Sequence, residues 1–289
     1  MLDALVFILL ILEGALALFL LYREGLMKRI GAAVLCTVLV ALAFALRASV
    51  LPYETGDYTG FLAPWVAYYR NNGGFSAFSQ LPPYCNYHVP YLYYLALFSY
   101  LPTRDLYLIK LLSCGFDVLL AWAAMKLAGL ANPNPFMRLG CFFAVLFWPT
   151  VLMNGALWGQ CDSIYAALAL LGIWLALEDR PAASMVMMAL SFSFKLQAVF
   201  VLPVCAILWI YGKYNWKHFL LFPLTYVLVV LPAVVLGRPL WDTLVFYFPQ
   251  TGSIGDGLNY NSSSIFALLT SIPAERRAQA STEAVIAAA

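Results

Sequence analysis

Long apolar runs, separated by short polar joints, follow one another along almost the whole chain. An α-helix needs about 20 apolar residues to cross the hydrocarbon core of a bilayer. The pattern therefore predicts transmembrane helices joined by short loops. The predicted spans are 2–22, 30–50, 104–129, 138–154, 163–178, 182–194, 196–212, 218–237 and 262–272.

Two further apolar segments, 59–71 and 89–101, are short and rich in aromatic residues. The first carries its apolar side chains on one face, and the second is bounded by Pro90 and Pro102. We expect both to be helices that lie along the membrane surface. The predicted fold class is therefore all-α: a polytopic membrane protein with about nine transmembrane helices and two interfacial helices in the first outer loop.

The composition supports a membrane protein. Hydrophobic residues make up 64% of the chain and charged residues only 10%, whereas a soluble domain has about 25% charged residues. The formal net charge of +2 gives no indication of a nucleic-acid partner. The first 22 residues lack a basic leader and a small-residue cleavage site, so we interpret them as a retained helix and not as a signal peptide.

The Lys and Arg residues predict the orientation, because cytoplasmic loops of membrane proteins are enriched in them. If 89–101 does not cross the membrane, the basic joints all lie on one side, which we assign to the cytoplasm. The outer joints are then 51–103, 155–162, the turn around Lys195, and 238–261. The basic joints are 23–29, Lys126 with Arg138, 178–181, 211–218 and Arg276–Arg277.

Unusual polar residues collect in the outer joints. Asp57, close to Glu54, follows a membrane helix and is a candidate general base or a solvated loop acid. His88, in "NYHVPY", titrates near neutral pH and suits proton transfer or phosphate binding, or lies on the surface beside an aromatic belt.

The segment "NGALWGQCDSIY" carries three candidates. Trp158 suits stacking on a sugar ring or anchoring in the membrane interface. Gln160 and Asp162 offer the hydrogen-bond donors and acceptors that a polyol needs. Asp162 also suits the N-cap of the next helix.

Other polar residues interrupt apolar runs. Lys195 and Gln197 lie between two predicted spans, where a lysine suits a lipid phosphate or reaches to the interface. Asn259 precedes the last span. Lys110 and Asp117 share one helix face and must point to the bundle interior or to a polar cleft. The six cysteines do not indicate a disulfide, and no motif for a covalent nucleophile or a zinc site is present.

The order of these motifs resembles the glycosyltransferase C superfold. The segments "GDYTGFLAPW", "NYHVPYLYYLALF", "ALWGQCDSIYAALALL", "FKLQAVFVLPV" and "LNYNSSSIFALL" are similar to the bacterial relatives of the GPI-anchor mannosyltransferases. The resemblance runs from about residue 30 to 272. The chain differs at His88-Val89, where such relatives more often have two prolines.

The resemblance implies transfer of a hexose from a polyprenyl-phosphate donor to an acceptor hydroxyl, with inversion and without a metal or other cofactor. Asp57 matches the catalytic acid position and would be the general base. Lys195 and Gln197 would lie near the donor phosphate or its lipid, and Trp158, Gln160 and Asp162 would line the sugar and acceptor cleft. We also count Glu54, His88 and Asn259 as candidate substrate-binding residues.

The resemblance also implies partners, location and organisation. The partners would be the lipid-linked sugar, a glycan or lipid acceptor and membrane lipids, at the extracytoplasmic face of a bacterial plasma membrane. Residues 30–272 would form the shared core in one transmembrane domain, with an added helix and basic loop at 1–29 and a short polar, alanine-rich tail at 273–289. The chain stops where relatives continue, so a shortened member and a fragment both remain open.

Two other function classes remain. A non-catalytic binding or assembly subunit of the same superfold would share all of these motifs. A lipid or solute transporter also has charged residues within its spans, but it more often shows inverted repeats and helices broken near the midplane. The sequence shows no repeat, and its polar residues cluster at one predicted face.

Overall fold

α-Helices and short 3₁₀ and π turns make up all the regular secondary structure of residues 3–248, the part of the chain that this computed structural model describes. The chain divides into a unit Met1–Leu244 and a unit Val245–Ala289; the helices below belong to the first. They are α1 Ala4–Arg23, α2 Ile30–Val50, α3 Ala63–Asn71, α4 Val89–Phe98, α5 Asp105–Ala131, α6 Pro135–Leu146, α7 Pro149–Leu152, α8 Asp162–Leu177, α9 Pro181–Phe194, α10 Leu202–Ile210, α11 Trp216–Phe219, α12 Leu221–Val235 and α13 Leu240–Leu244.

Four helices in the described residues are long and apolar enough to cross a membrane: α1, α2, α5 and the α11–α12 segment Trp216–Val235. A fifth is reached if α6 and the segment Pro149–Trp158, bent by 43° from each other, count as one span. The break lies at Phe147 and Trp148, directly before Pro149, because proline lacks the N–H that would continue α6. The prediction of a membrane protein built from helices is therefore confirmed.

Nine spans are not found in the described residues. Three predicted spans correspond to shorter helices, α8, α9 and the segment Leu196–Ile210. With a rise of 1.5 Å per residue, the 16 residues of α8 extend about 24 Å, less than the roughly 30 Å of a hydrocarbon core. The ninth predicted span, 262–272, lies outside the described residues.

Both predicted interfacial segments are helical. The first continues from a π turn, Tyr58–Leu62, into α3, and the second is α4. The α4 helix packs against α3, α9 and α12 and is mostly buried, with Val89, Leu92 and Leu95 almost inaccessible. It is thus enclosed by protein, and its relation to a membrane surface stays a prediction.

The central helix α5 holds the bundle together through buried charge. Its Asp117 carboxylate accepts hydrogen bonds from Arg47 Nη2 at 2.9 Å and Arg47 Nε at 3.1 Å, and also from the Ser163 hydroxyl. Arg47 Nη2 donates in addition to Leu146 O at 3.0 Å. Asp117 and Arg47 are both fully buried. One ion pair thus connects α2, α5, the end of α6 and the start of α8.

Lys110 lies two turns before Asp117 on the same helix. Its ammonium donates to the carbonyl oxygens of Leu51, at 3.0 Å, and Tyr53. These carbonyls follow the C-terminus of α2, where backbone acceptors lack helical partners and a cation is favoured. Lys110 and Asp117 therefore both face the bundle interior, as their spacing predicts, and Lys110 fixes the backbone that leads to Asp57.

Removing Asp117 tests the buried pair. We expect Asp117→Leu to lower the free energy of unfolding by about 3–5 kcal/mol, because the buried Arg47 then loses the carboxylate that accepts its hydrogen bonds. Adding Arg47→Met to this variant should recover part of the loss. Thermal and denaturant unfolding in detergent measure both effects.

The exposed ion pair of Glu54 and Arg104 is the matched control, since these side chains are 44% and 43% accessible. Removing Glu54 should change the free energy of unfolding by less than about 1 kcal/mol. Equal losses for the two pairs would contradict a special role for Asp117.

Candidate functional site

A chain of hydrogen-bonded side chains connects the segments after α2, before α8 and after α9. Asp57 begins it, in the first turn of the helical run that continues through the π turn into α3. Its Oδ2 accepts hydrogen bonds from Trp158 Nε1 at 2.6 Å and Gln160 Nε2 at 2.7 Å. Its Oδ1 accepts none from the described residues. Hydrogen bonds thus hold one oxygen of this half-buried carboxylate, and the other oxygen has no partner among the described residues.

The backbone of the segment 153–160 positions Trp158 and Gln160. A π turn, Met153–Trp158, ends at Gly159, whose φ of +83° lies in the left-handed region that glycine adopts without strain. Two hydroxyls then fix the carbonyls on either side: Thr55 Oγ1 donates to Trp158 O at 3.0 Å, and Ser113 Oγ donates to Gln160 O at 2.7 Å. The Trp158 side chain is held beside Asp57 and is still 50% exposed.

Gln160 connects Asp57 to Lys195. Its amide nitrogen faces the Asp57 carboxylate, and its Oε1 accepts from Tyr87 Oη at 2.8 Å and Lys195 Nζ at 3.4 Å. The amide N–H of Gln160 thus faces the Asp57 carboxylate, and its oxygen faces the Lys195 ammonium. Both charges favour this orientation of the amide. A single amide therefore separates the carboxylate from the ammonium.

Lys195 lies between α9 and a 3₁₀ segment, Leu196–Val201, and its ammonium forms an ion pair with Asp162. Asn154 Nδ2 donates to the other oxygen of Asp162 at 2.9 Å. Burial works against the charge of Lys195, but Cys161 and the Asp162 carboxylate raise its pKa above its ordinary value. The lysine is therefore cationic at neutral pH.

The proposed N-cap role of Asp162 is wrong. Asp162 is the first residue of α8, the N-cap residue is Cys161, and no side chain caps this helix end. The carboxylate points to Lys195 and Asn154 instead. The Asp162 side chain thus forms an ion pair with Lys195 and does not cap the helix.

Three other candidate residues lie outside this network. Glu54 is exposed and pairs with Arg104, and Gln197 is exposed. His88 is buried: its Nδ1 lies 3.1 Å from Ser193 O, and its Nε2 lies 3.0 Å from Thr243 O and 3.2 Å from Tyr226 Oη. It connects the start of α4 to α9, α12 and α13. Asn259 lies outside the described residues.

Sequence reasoning missed Tyr87, Asn154 and Thr55. Tyr87 lies in "NYHVPY" and Asn154 begins "NGALWGQCDSIY", yet a tyrosine in an aromatic belt or an asparagine before glycine gives no sign of its partner. Among residues 3–248, no group of three His, Cys, Asp or Glu side chains is placed to hold a metal ion. The six cysteines, all within the described range, are free thiols.

Comparisons of the chain with protein-family models, with curated proteins and with solved structures found no match.

The burial of His88 predicts that the stability of the folded protein depends on pH. Burial lowers its pKa to about 4, against an ordinary value of 6.5, although hydrogen bonds to Thr243 and Ser193 act in the opposite direction. A lowered pKa in the folded state means that stability is complete above about pH 6.5 and is lost as the pH falls toward 4. We expect the melting temperature to fall between pH 6.5 and 5, and less so in His88→Gln.

The other histidine of the chain provides the control. His218 accepts a hydrogen bond from Asn215 N at its helix start, a role that glutamine also fills. His218→Gln should therefore keep the wild-type pH dependence. A His88→Gln curve that parallels the wild-type curve would show that other groups cause the acid sensitivity.

Proposed function

We propose that this chain is an integral membrane glycosyltransferase. It moves a hexose, mannose-like, from a polyprenyl-phosphate donor to a hydroxyl of a lipid, glycan or protein acceptor, with inversion. The observation that supports this most is the arrangement of Asp57: one oxygen is fixed by Trp158 and Gln160, and the same Gln160 contacts Lys195.

In this mechanism Asp57 is the general base. Oδ1 accepts the proton of the acceptor hydroxyl as the acceptor oxygen bonds to the anomeric carbon. The bond from that carbon to the phosphate oxygen breaks on the opposite side, and the polyprenyl phosphate leaves with the electron pair. Trp158 supplies an exposed aromatic surface beside the carboxylate for the sugar ring.

Lys195 stabilises the charge that develops on the leaving phosphate. It lies one side-chain amide away from Asp57, and in-line displacement needs the base and the leaving-group cation on opposite sides of the reacting carbon. In the described arrangement Asp162 holds Lys195. A donor phosphate must therefore compete with the Asp162 carboxylate for the ammonium.

This proposal also assigns a membrane topology. The short helices α8, α9 and Leu196–Ile210 cross a locally thinned bilayer, and Lys195 reaches the headgroup level at the end of α9. The network around Asp57 then faces the extracytoplasmic side of a bacterial plasma membrane. The cytoplasmic end contains the cluster in which Glu24 binds Lys126, at 3.0 Å, and Arg138.

Asp57→Asn tests the base directly. The asparagine oxygen still accepts from Trp158 and Gln160, but it cannot take a proton. We expect transfer of labelled sugar from a polyprenyl-phosphate mannose donor in proteoliposomes to fall about 10²–10⁴-fold, with donor affinity unchanged.

Asp179→Asn is the control for Asp57→Asn, because Asp179 is an exposed acid that pairs with Lys213 near the other end of α8. It should keep wild-type turnover. Donor binding without sugar transfer, equal in the wild type and in Asp57→Asn, would favour a binding subunit. Movement of labelled donor across the bilayer without a new glycosidic bond would favour a transporter.

Removing the positive charge of Lys195 and, separately, the negative charge of Asp162 tests whether Lys195 binds the donor phosphate. Lys195→Met removes the cation and should weaken donor binding about tenfold or more. Asp162→Asn frees the ammonium from its counter-charge, so donor binding should stay equal or become tighter. Equilibrium binding of the labelled donor measures both. Equal weakening in the two variants would mean that the ion pair only supports the fold.

A further inference from the structure

Beyond the C-terminus of α12 lies an arginine that has no counter-charge among residues 3–248. Arg238 is only 6% exposed, and its backbone N–H donates to Ala233 O at 3.0 Å. The Nη1 atom is fully buried and has no hydrogen-bond partner. The side chain forms no ion pair with any described residue.

A buried guanidinium in this position needs an anion as its partner. Arginine stays charged at any physiological pH and is almost never buried unless it is paired. Burial of an unpaired charge is strongly unfavourable, because the interior does not replace the lost hydration. Water alone would hydrate the donors but would leave the positive charge without a partner.

Tyr69 is a second buried group in the same region. Its side chain is inaccessible, and its hydroxyl makes no hydrogen bond to any residue that the structure describes. The ring stacks on Phe78 with centroids 5.3 Å apart, and Phe78 stacks on Tyr93 at 5.1 Å. Burial lowers the pKa of Arg238, and the electrostatic effect of the Tyr69 phenol acts in the opposite direction.

The aromatic stack packs against the C-terminal part of α12, through Tyr93 and through the turn that contains Phe78. Tyr93 Oη donates to Val229 O at 2.9 Å and accepts from Ala233 N at 3.0 Å. At Gly237 the backbone approaches the 3₁₀ turn Gly74–Ser79 so closely that an added Cβ would lie 3.4 Å from Ser79 Cβ. Arg238 therefore follows directly on a turn that is packed against the aromatic stack.

We propose that Arg238 and Tyr69 bind the phosphate group of an anionic membrane lipid. The fork of guanidinium donors matches phosphate oxygens, and the phenol adds a further donor. Arg238 comes three residues after the end of the candidate span Trp216–Val235, at the level where lipid phosphates lie.

The site is separate from the Asp57 network. Asp57 and Tyr69 lie twelve residues apart in one continuous helical run, which corresponds to roughly 18 Å along the axis. The proposal therefore does not depend on glycosyltransferase activity. Its test needs neither donor nor acceptor, so the two proposals can fail independently.

Two lipids that differ only in the phosphate provide the test. Dioleoyl phosphatidic acid and dioleoylglycerol are titrated into the delipidated full-length protein in detergent, with binding followed by native mass spectrometry and melting temperature. We expect phosphatidic acid to bind and to raise the melting temperature, and dioleoylglycerol to do neither. The affinity should fall at least about tenfold in Arg238→Gln and severalfold in Tyr69→Phe.

Arg180→Gln is the control, since Arg180 is an exposed arginine at the start of α9, and it should bind like the wild type. Equal affinity of phosphatidic acid for all variants, or equal binding of the two lipids, would overturn the proposal. Stabilisation by inorganic phosphate that requires Arg238 would keep the phosphate site and overturn the lipid as its source. If Arg238→Gln does not fold, Tyr69→Phe decides, because it removes a single hydroxyl.

Discussion

The arrangement of the site depends on one face of α5, on which Lys110, Ser113 and Asp117 follow one another at helical spacing. Each polar group binds a different segment. Lys110 holds the carbonyls after α2, Ser113 holds the carbonyl of Gln160, and Asp117 holds Arg47 and Ser163. Because an apolar interior makes unpaired polar groups costly, these three side chains fix where the neighbouring segments can lie.

The same three side chains position most of the site. The backbone held by Lys110 leads within a few residues to Asp57. The carbonyl held by Ser113 belongs to Gln160 itself, and Ser163 is the immediate neighbour of Asp162. Asp57, Gln160 and Asp162 are thus each within a short stretch of chain from a bond to α5, and Lys195 is held through Gln160 and Asp162. Catalytic residues need such fixed supports, since small displacements of a reacting group are expensive in rate.

The sequence predicts the helices well and their breaks less well. A hydropathy window measures the length of an apolar run, so it joins residues 138–154 into one span, whereas Pro149 divides the run and a π turn continues to Trp158. The predicted topology places five candidate residues on one face of the membrane, and their proximity in the structure agrees with it. They are Asp57, Trp158, Gln160, Asp162 and Lys195.

The individual partners in the site do not follow from the sequence. Gln160 binds Tyr87 across 73 positions of sequence, and no local pattern connects them. Arg47 did give a signal, because a charged residue inside a predicted span must find a partner. Combining Arg47 with Asp117 on a neighbouring predicted span would have pointed to the buried ion pair.

Charge explains why this network must rearrange during the proposed reaction. Asp57 and Asp162 carry two negative charges, and Lys195 carries one positive charge, so the three groups have a net charge of −1 before the donor arrives. A phosphate therefore gains little from Lys195 while Asp162 holds it. Binding becomes favourable when the donor replaces Asp162 at the ammonium, and Asn154, which already donates to Asp162, can keep the displaced carboxylate hydrogen-bonded. The ion pair thus keeps Lys195 charged and close to Gln160 in the free protein and makes donor binding depend on an exchange of partners.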